Sequence, residues 1–308
     1  MNGPIGVSQA YHVNVNCSDL ERSLAFYRDR LGLAATVRTR PEAPQDGSAF
    51  RLDEAQWDAW ILHDDRGPGA GLAVDLLEWQ VPSPTGRPHG AADLGLHRLG
   101  LYVSDLDRCY AGLAADGVAG HGGPPHETVV DGRAPVRTVV VDDPDGVLVE
   151  LVQTGTDRVG FVAIGVSDLA RSVAFYSEVL GFRPMFGRGP LRQPGDQLGL
   201  AGEIELAAAY LDDPRGTGAF MLELVQLLDP APVRPPAARA NQIGMFRLAL
   251  LTDDIGRDHA GLVDRGVTCW SPPAELTMGP GIPRLRALLF EDPDGTVLEL
   301  VEPPAPPG

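Results

Sequence analysis

Residues 12–33 recur at 161–182. HVNVNCSDLERSLAFYRDRLGL begins at His12 and FVAIGVSDLARSVAFYSEVLGF at Phe161, an offset of 149 residues. The same offset carries LHRLGLYVSDLD from Leu96 onto MFRLALLTDDIG from Met245. It also carries Asp143-Pro144-Asp145-Gly146 onto Asp292-Pro293-Asp294-Gly295, and Glu150 onto Glu299. A register held across half a chain marks tandem duplication of a structural unit. The fold must therefore be one that a single unit can build by repetition.

Each half divides again. Every quarter opens on an apolar strand, passes through a helix start near Ser18, Ser104, Ser167 or Thr252, and closes on strands ending in an apolar-Glu run. Ser18 with Glu21 reads as a capping box, and Gly32 suits the residue past a helix end. Leu20, Leu24, Tyr27 and Leu31 form one stripe at a 3.6-residue period, predicting a helix from Asp19 to Leu31. Proline-rich joints separate the quarters, at Pro82, Pro84 and Pro88 and at Pro230, Pro232, Pro235 and Pro236. The expected class is α+β: four βαβββ modules in two domains, 8–154 and 157–304. Two domains also suit 308 residues at roughly 150 residues per domain.

Charge narrows the partners. Lys and Arg total 25 against 42 Asp and Glu, a net charge of -17, which speaks against nucleic acid, whose binders carry a basic footprint, and against anionic membranes. No run of 18 apolar residues predicts a spanning helix. MNGPIGVSQA has neither a basic n-region nor an apolar h-region. Cys17, Cys109 and Cys269 are far apart, which fits a reducing cytoplasm. P-loop, GxGxxG, HExxH and GxSxG patterns are absent from the sequence, so the chemistry they carry is not expected. The expectation is a cytoplasmic monomer or homodimer acting on a small molecule.

The opening H-x-x-x-x-x-x-D-L-x-x-S-x-x-F-Y (His12 to Tyr27), the closing runs LLEW, LVEL, LELV and LELV, and the DPDG turns resemble the vicinal oxygen chelate superfamily of glyoxalases, bleomycin-resistance proteins and extradiol dioxygenases. The resemblance runs from about Tyr11 to Glu302. It implies cup-shaped mixed sheets, one per domain, with one divalent metal ion (Zn, Fe, Mn, Co or Ni) at the base, held by the first and last strands of each module. Strand alternation places His12, Asn14 and Asn16 on one face, and Leu76, Glu78 and Gln80 on one face. The implied ligands are His12, Glu78, His97 and Glu150.

His97 is the weakest fit. His12 lies seven residues before Asp19, whereas His97 lies eight before Asp105 and Arg98 seven. A β-bulge near Arg98 would turn His97 into the cup; without one, Arg98 faces it and can hold an anionic substrate. Asn14, Arg98 and Trp60 are the candidate substrate contacts, with Trp57 and Trp79 as further wall residues. In the metal-dependent reading, the ion stabilises an enediolate or enolate and Glu150 or Glu78 moves the proton, which is isomerase, epimerase or lyase chemistry. The alternatives are an extradiol-type Fe(II) dioxygenase and a non-catalytic drug binder. Phe161 and Phe246 stand where the first half has His12 and His97, so a second metal is not expected in the second half despite Glu223 and Glu299.

Overall fold

A computed structural model describes residues 3–128, 135–235 and 237–304; Pro236 of the second joint lies outside them. The first module holds β1 (Val7–Asn16), β2 (Ala34–Thr39), β3 (Gln45–Asp46), β4 (Glu54–His63) and β5 (Ala73–Val81). The second holds β6 (Gly95–Val103), β7 (His126–Thr128), β8 (Val136–Asp142) and β9 (Leu148–Gln153). The third holds β10 (Arg158–Gly165), β11 (Arg183–Pro194), β12 (Glu203–Asp212) and β13 (Met221–Asp229). The fourth holds β14 (Gly244–Thr252), β15 (Ala274–Leu276), β16 (Leu285–Glu291) and β17 (Val297–Glu302). One helix follows the first strand of each: α1 (Leu20–Leu24), α2 (Leu106–Ala115), α3 (Leu169–Ala174) and α4 (Ile255–Asp264).

The repeat predicts these elements well, with small corrections at the helix ends. The N-caps are Asp19, Asp105, Asp168 and Asp254, each accepting from the backbone N–H three residues on. Ser18 instead donates from its hydroxyl to Asp145 of the first DPDG turn, and Ser167 to Asp294 of the second. The α1 and α3 helices widen into π-helical turns at Ala25–Arg30 and Phe175–Val179. Gly32 takes φ 78, the left-handed geometry expected past a helix end.

How the modules combine differs from the expectation. One sheet runs β15-β16-β17-β14-β1-β5-β4-β2, and the other β11-β12-β13-β10-β6-β9-β8-β7. Each cup therefore takes one module from each half, the first with the fourth and the second with the third. The two sequence halves are not the two cups. The links explain the exchange. Only Thr154 to Asp157 separates β9 from β10, so the third module lands beside the second, and β10 pairs antiparallel with β6. The two proline-rich joints cross between sheets side by side: Thr85 N–H donates to Asn241 O at 2.9 Å and Val233 N–H to Ala92 O at 2.7 Å. They return the chain to β14, which pairs antiparallel with β1.

The helices cover the outer faces of both sheets, and Val13, Val15, Leu99, Leu101, Val162, Ile164, Leu248 and Leu250 join them in one buried core. The inner faces hold separate apolar clusters, around Phe50, Trp57, Trp79, Phe246 and Leu289 in the first cup and around Ile204, Leu206, Tyr210 and Val225 in the second.

Candidate functional site

The parallel pairing of β1 with β5 sets the floor of the first cup. His12 faces inward on β1, and the register puts Asn14 opposite Asp75. Asp75, Leu77 and Trp79 share that inner face, whereas Leu76 and Glu78 face the helix. Asn14 Nδ2 donates to Asp75 Oδ2 at 3.2 Å and fixes the carboxylate. From the fourth module come Arg247 on β14 and Glu299 on β17. Arg247 Nε donates to Glu299 Oε2 at 2.7 Å, and its Nη2 to Asp75 Oδ2 at 3.1 Å. The His12 imidazole makes no hydrogen bond; its Nε2 stands 3.5 Å from Glu299 Oε2 and 3.7 Å from Asp75 Oδ2. Arg247 Nη1 is likewise buried without an acceptor.

Burial works to raise the Glu299 carboxyl, but the Arg247 guanidinium and His12 overcome it and hold it at about 2. Burial works against charge on Arg247, and Glu299 and Asp75 outweigh it, so its pKa lies above the ordinary value. Above the floor lies a cavity of about 200 Å³ walled by Tyr11, Phe50, Trp57, Trp79 and Met278. Burial, with the charges of Asp75 and Glu299, raises the Tyr11 phenol, which keeps its proton. His63 also lines this cavity and contacts Thr36 Oγ1 through Nδ1 at 2.8 Å; burial lowers its pKa.

The second cup has the same plan with different residues. Arg98 on β6 occupies the place of Arg247. Its Nη2 donates to Glu223 Oε2 at 2.5 Å, and its Nε lies 3.0 Å from Glu150 Oε2. Tyr210 donates to Glu223 at 2.9 Å and Thr138 to Glu150 at 2.8 Å. Phe161 takes the place of His12. The cavity above holds about 270 Å³.

The expected quartet is thus not one centre. His12 and Glu78 lie in the first sheet, and His97 and Glu150 in the second. Glu78 faces away from the cup and accepts the Leu20 N–H of α1 at 2.9 Å. The β6–β10 register does slip at His97, with Arg98 opposite Ala163 and Leu96 opposite Ile164. Even so, it is Arg98 that reaches the floor. His97 is packed beside it, wholly buried with neither ring nitrogen bonded, and burial drives its pKa well below the usual range. Trp60 pairs with Leu76 and packs outward with Arg38; Trp57 and Trp79 face the cup. Asn14 contacts Asp75 inside the first cup.

Asp75 and Arg247 were not found from the sequence, although a signal for Asp75 exists. Asp75-Leu-Leu-Glu78 aligns with Glu150-Leu-Val-Gln153, Glu223-Leu-Val-Gln226 and Glu299-Leu-Val-Glu302. The first acid of each run faces the cup. In three of them the residue three places on meets a helix N-terminus: Glu78, Gln226 and Glu302 accept from Leu20, Leu169 and Ile255. Arg247 shares with Arg98 the seven-residue spacing to the capping aspartate.

The donor sets fit a divalent metal poorly. Among the described residues no group of three His, Cys, Asp or Glu is arranged to hold one. In the first cup, a guanidinium that cannot lose its proton already lies on both carboxylates, so a metal cation there would lie against a fixed positive charge. In the second cup the two carboxylates are likewise held by a guanidinium, Arg98, and the His97 imidazole lines the cavity beside it.

A family model described as the Glyoxalase/Bleomycin resistance protein/Dioxygenase superfamily matches residues 9–151 and again residues 158–300. The chain belongs to this superfamily. Among curated members, an uncharacterized protein YaeR of Escherichia coli is 31% identical over 150 residues, 48% of this chain and 98% of its own length. A 2-epi-5-epi-valiolone epimerase of Actinomyces sp is 29% identical over 150 residues, 48% of this chain and 80% of its own. Glyoxalase I from Zea mays shares the superfamily fold across both units. It covers 96% of this chain and 92% of its own, with a TM-score of 0.67 at 19% identity.

Proposed function

We propose that the first cup is a proton-transfer site of isomerase or epimerase type, acting on a small, largely apolar molecule that carries a carbonyl beside an acidic C–H. The observation that carries this reading is the floor geometry. An unbonded imidazole, His12, and an unbonded guanidinium N–H, Arg247 Nη1, share a buried floor whose two carboxylates are tied to the same arginine.

Each group has a role in such a step. His12 takes the proton from the carbon beside the carbonyl, and the C–H electron pair moves into a carbon–carbon double bond as the carbonyl oxygen gains charge. The Arg247 N–H meets that oxygen, a fixed donor in a water-poor site of the kind that stabilises developing charge. Asp75 and Glu299 offset the charge of the protonated imidazole. Tyr11, also facing the cavity and still protonated, returns a proton from another direction. The superfamily resemblance implies a metal in this role; here the arginine supplies the positive charge, and no step passes through a metal. An extradiol-type reaction needs two imidazoles and a carboxylate on one metal; His97 and His126 line the second cavity with Glu150 and Glu223, but among the described residues no three such groups are arranged to hold an ion.

The test is solvent exchange. Protein treated with a chelator is incubated in D2O with aryl α-hydroxyketones such as 2-hydroxy-1-phenylpropan-1-one and followed by NMR. Deuterium is expected at the carbon beside the carbonyl, at a rate cut at least 100-fold in His12→Asn. Tyr11→Phe is expected to keep exchange and lose isomerised product. Exchange that persists unchanged in His12→Asn, or appears only after metal is added, overturns the proposal.

A further inference from the structure

The second cavity contains an arginine that no carboxylate of the described residues neutralises. Arg188, on β11, is only 9% exposed. Its Nη2 donates to the neutral Gln193 Oε1 at 2.9 Å, and its Nε is buried without an acceptor. Arg98, the other arginine lining this cavity among the described residues, is already matched by Glu150 and Glu223. A buried guanidinium is costly unless a counter-charge meets it. His126 on β7 brings a second buried nitrogen without a partner, Nε2, into the same cavity.

The rest of the cavity is built for a flat apolar body. Phe186 and Tyr210 stack with ring centroids 4.4 Å apart and planes 21° from parallel. Phe161 stands on the floor in the place His12 takes in the first cup. A cavity of about 270 Å³ accommodates a two-ring aromatic group. A single unmatched planar fork calls for one charge in matching geometry, which a carboxylate offers in bidentate form.

We propose that the second cup is a binding site for aromatic carboxylates, with Arg188 as the anchor of the acid group and the Phe161, Phe186 and Tyr210 rings holding the aromatic body. Phe161 stands where the first cup has His12, so this cup binds without the proton transfer assigned to the first cup. The chain then carries two cups of one ancestry and different use.

Calorimetric titration with 2-naphthoate, 2-naphthamide and 2-naphthylmethylammonium tests this. Naphthoate is expected to bind one per chain, at least ten-fold tighter than the amide, with the ammonium weaker still. Arg188→Met is expected to lose at least ten-fold in naphthoate affinity while the affinity for the amide stays within a factor of about two. Because no carboxylate of the described residues depends on Arg188, the ligand-free variant is expected to melt no lower than the parent protein, with the naphthoate-induced rise in Tm abolished. It is also expected to keep the deuterium exchange of the first cup. Equal affinity for acid and amide overturns the proposal, as does undiminished naphthoate binding in Arg188→Met. A variant that fails to fold without ligand overturns it too, since that would make Arg188 a structural residue. None of these three overturning outcomes depends on whether the first cup is catalytic.

Discussion

Arg247 lies on Glu299 through Nε at 2.7 Å and reaches Asp75 through Nη2 at 3.1 Å, so one guanidinium joins the carboxylates of the first and fourth modules across the seam of the cup. His12 faces the same two oxygens. The donor set is one substitution from a metal site. Arg247→His removes the fixed charge and adds an imidazole to His12, Asp75 and Glu299, a combination suited to borderline divalent ions. Titration of Arg247→His with Co(II) is expected to give the visible absorption of bound cobalt, at about one per chain. The unsubstituted protein is expected to give none from this cup.

Glu78 separates the observed geometry from the plain sequence expectation. It accepts the Leu20 N–H at the start of α1 on the face opposite the cup. Glu78→Ala is expected to cost about 1 kcal/mol of stability, the usual worth of a cap, and to leave deuterium exchange within a factor of two. Asp75→Asn, only three residues earlier, is expected to slow exchange at least ten-fold. Chemical denaturation and the NMR assay read the two effects separately.

The strands, helices and duplication were legible because they rest on local signals: period, caps and turns repeating at a fixed offset. His12 was legible too, since alternation along a single strand fixes its face. The partner of each module was not, because it depends on the lengths and pairing of the two joints, a long-range property. That error moved Glu150 and His97 away from His12. That Glu78 faces the helix, and Asp75 the cup, was not legible for a different reason. The apolar-Glu ending is shared by cup-facing and helix-capping positions three residues apart, and only the strand register tells them apart.

Arg98 gives a stability prediction in the second cup. It is buried between Glu150 and Glu223, and burial, which opposes its charge, is outweighed by Glu223 and Glu150, so its pKa is raised. Arg98→Met leaves two carboxylates facing each other without a counter-charge, and a loss of about 3–5 kcal/mol is expected. Adding Glu223→Gln to that variant is expected to restore part of the loss, because the two residues belong to one network and their effects are not additive. Urea denaturation of the two single variants and the double variant measures the coupling; additive losses would show that the cluster is not a unit.

The acid limb of the stability curve should carry the mark of Glu299. Its folded-state pKa is depressed from 4.5 to about 2, so the unfolded chain takes up the proton first as pH falls. The contribution is fully present above the unfolded value and disappears as pH drops through the folded one. For a group this buried, the shift corresponds to about 3 kcal/mol. Asp143 works with the opposite sign. Burial raises it to about 6, against the lowering effect of its hydrogen bonds from Val147, Tyr27 and Asp145, so the folded state holds that proton longer. Its contribution is present below 3.8 and lost as pH rises through about 6. Denaturation from pH 2 to 7 is therefore expected to show Glu299→Gln flattening the curve below pH 4.5, and Asp143→Asn steepening the net rise between about pH 4 and 6. If Glu299→Gln instead shifts the whole curve by a constant amount, the carboxylate is not held by Arg247 and His12 as described.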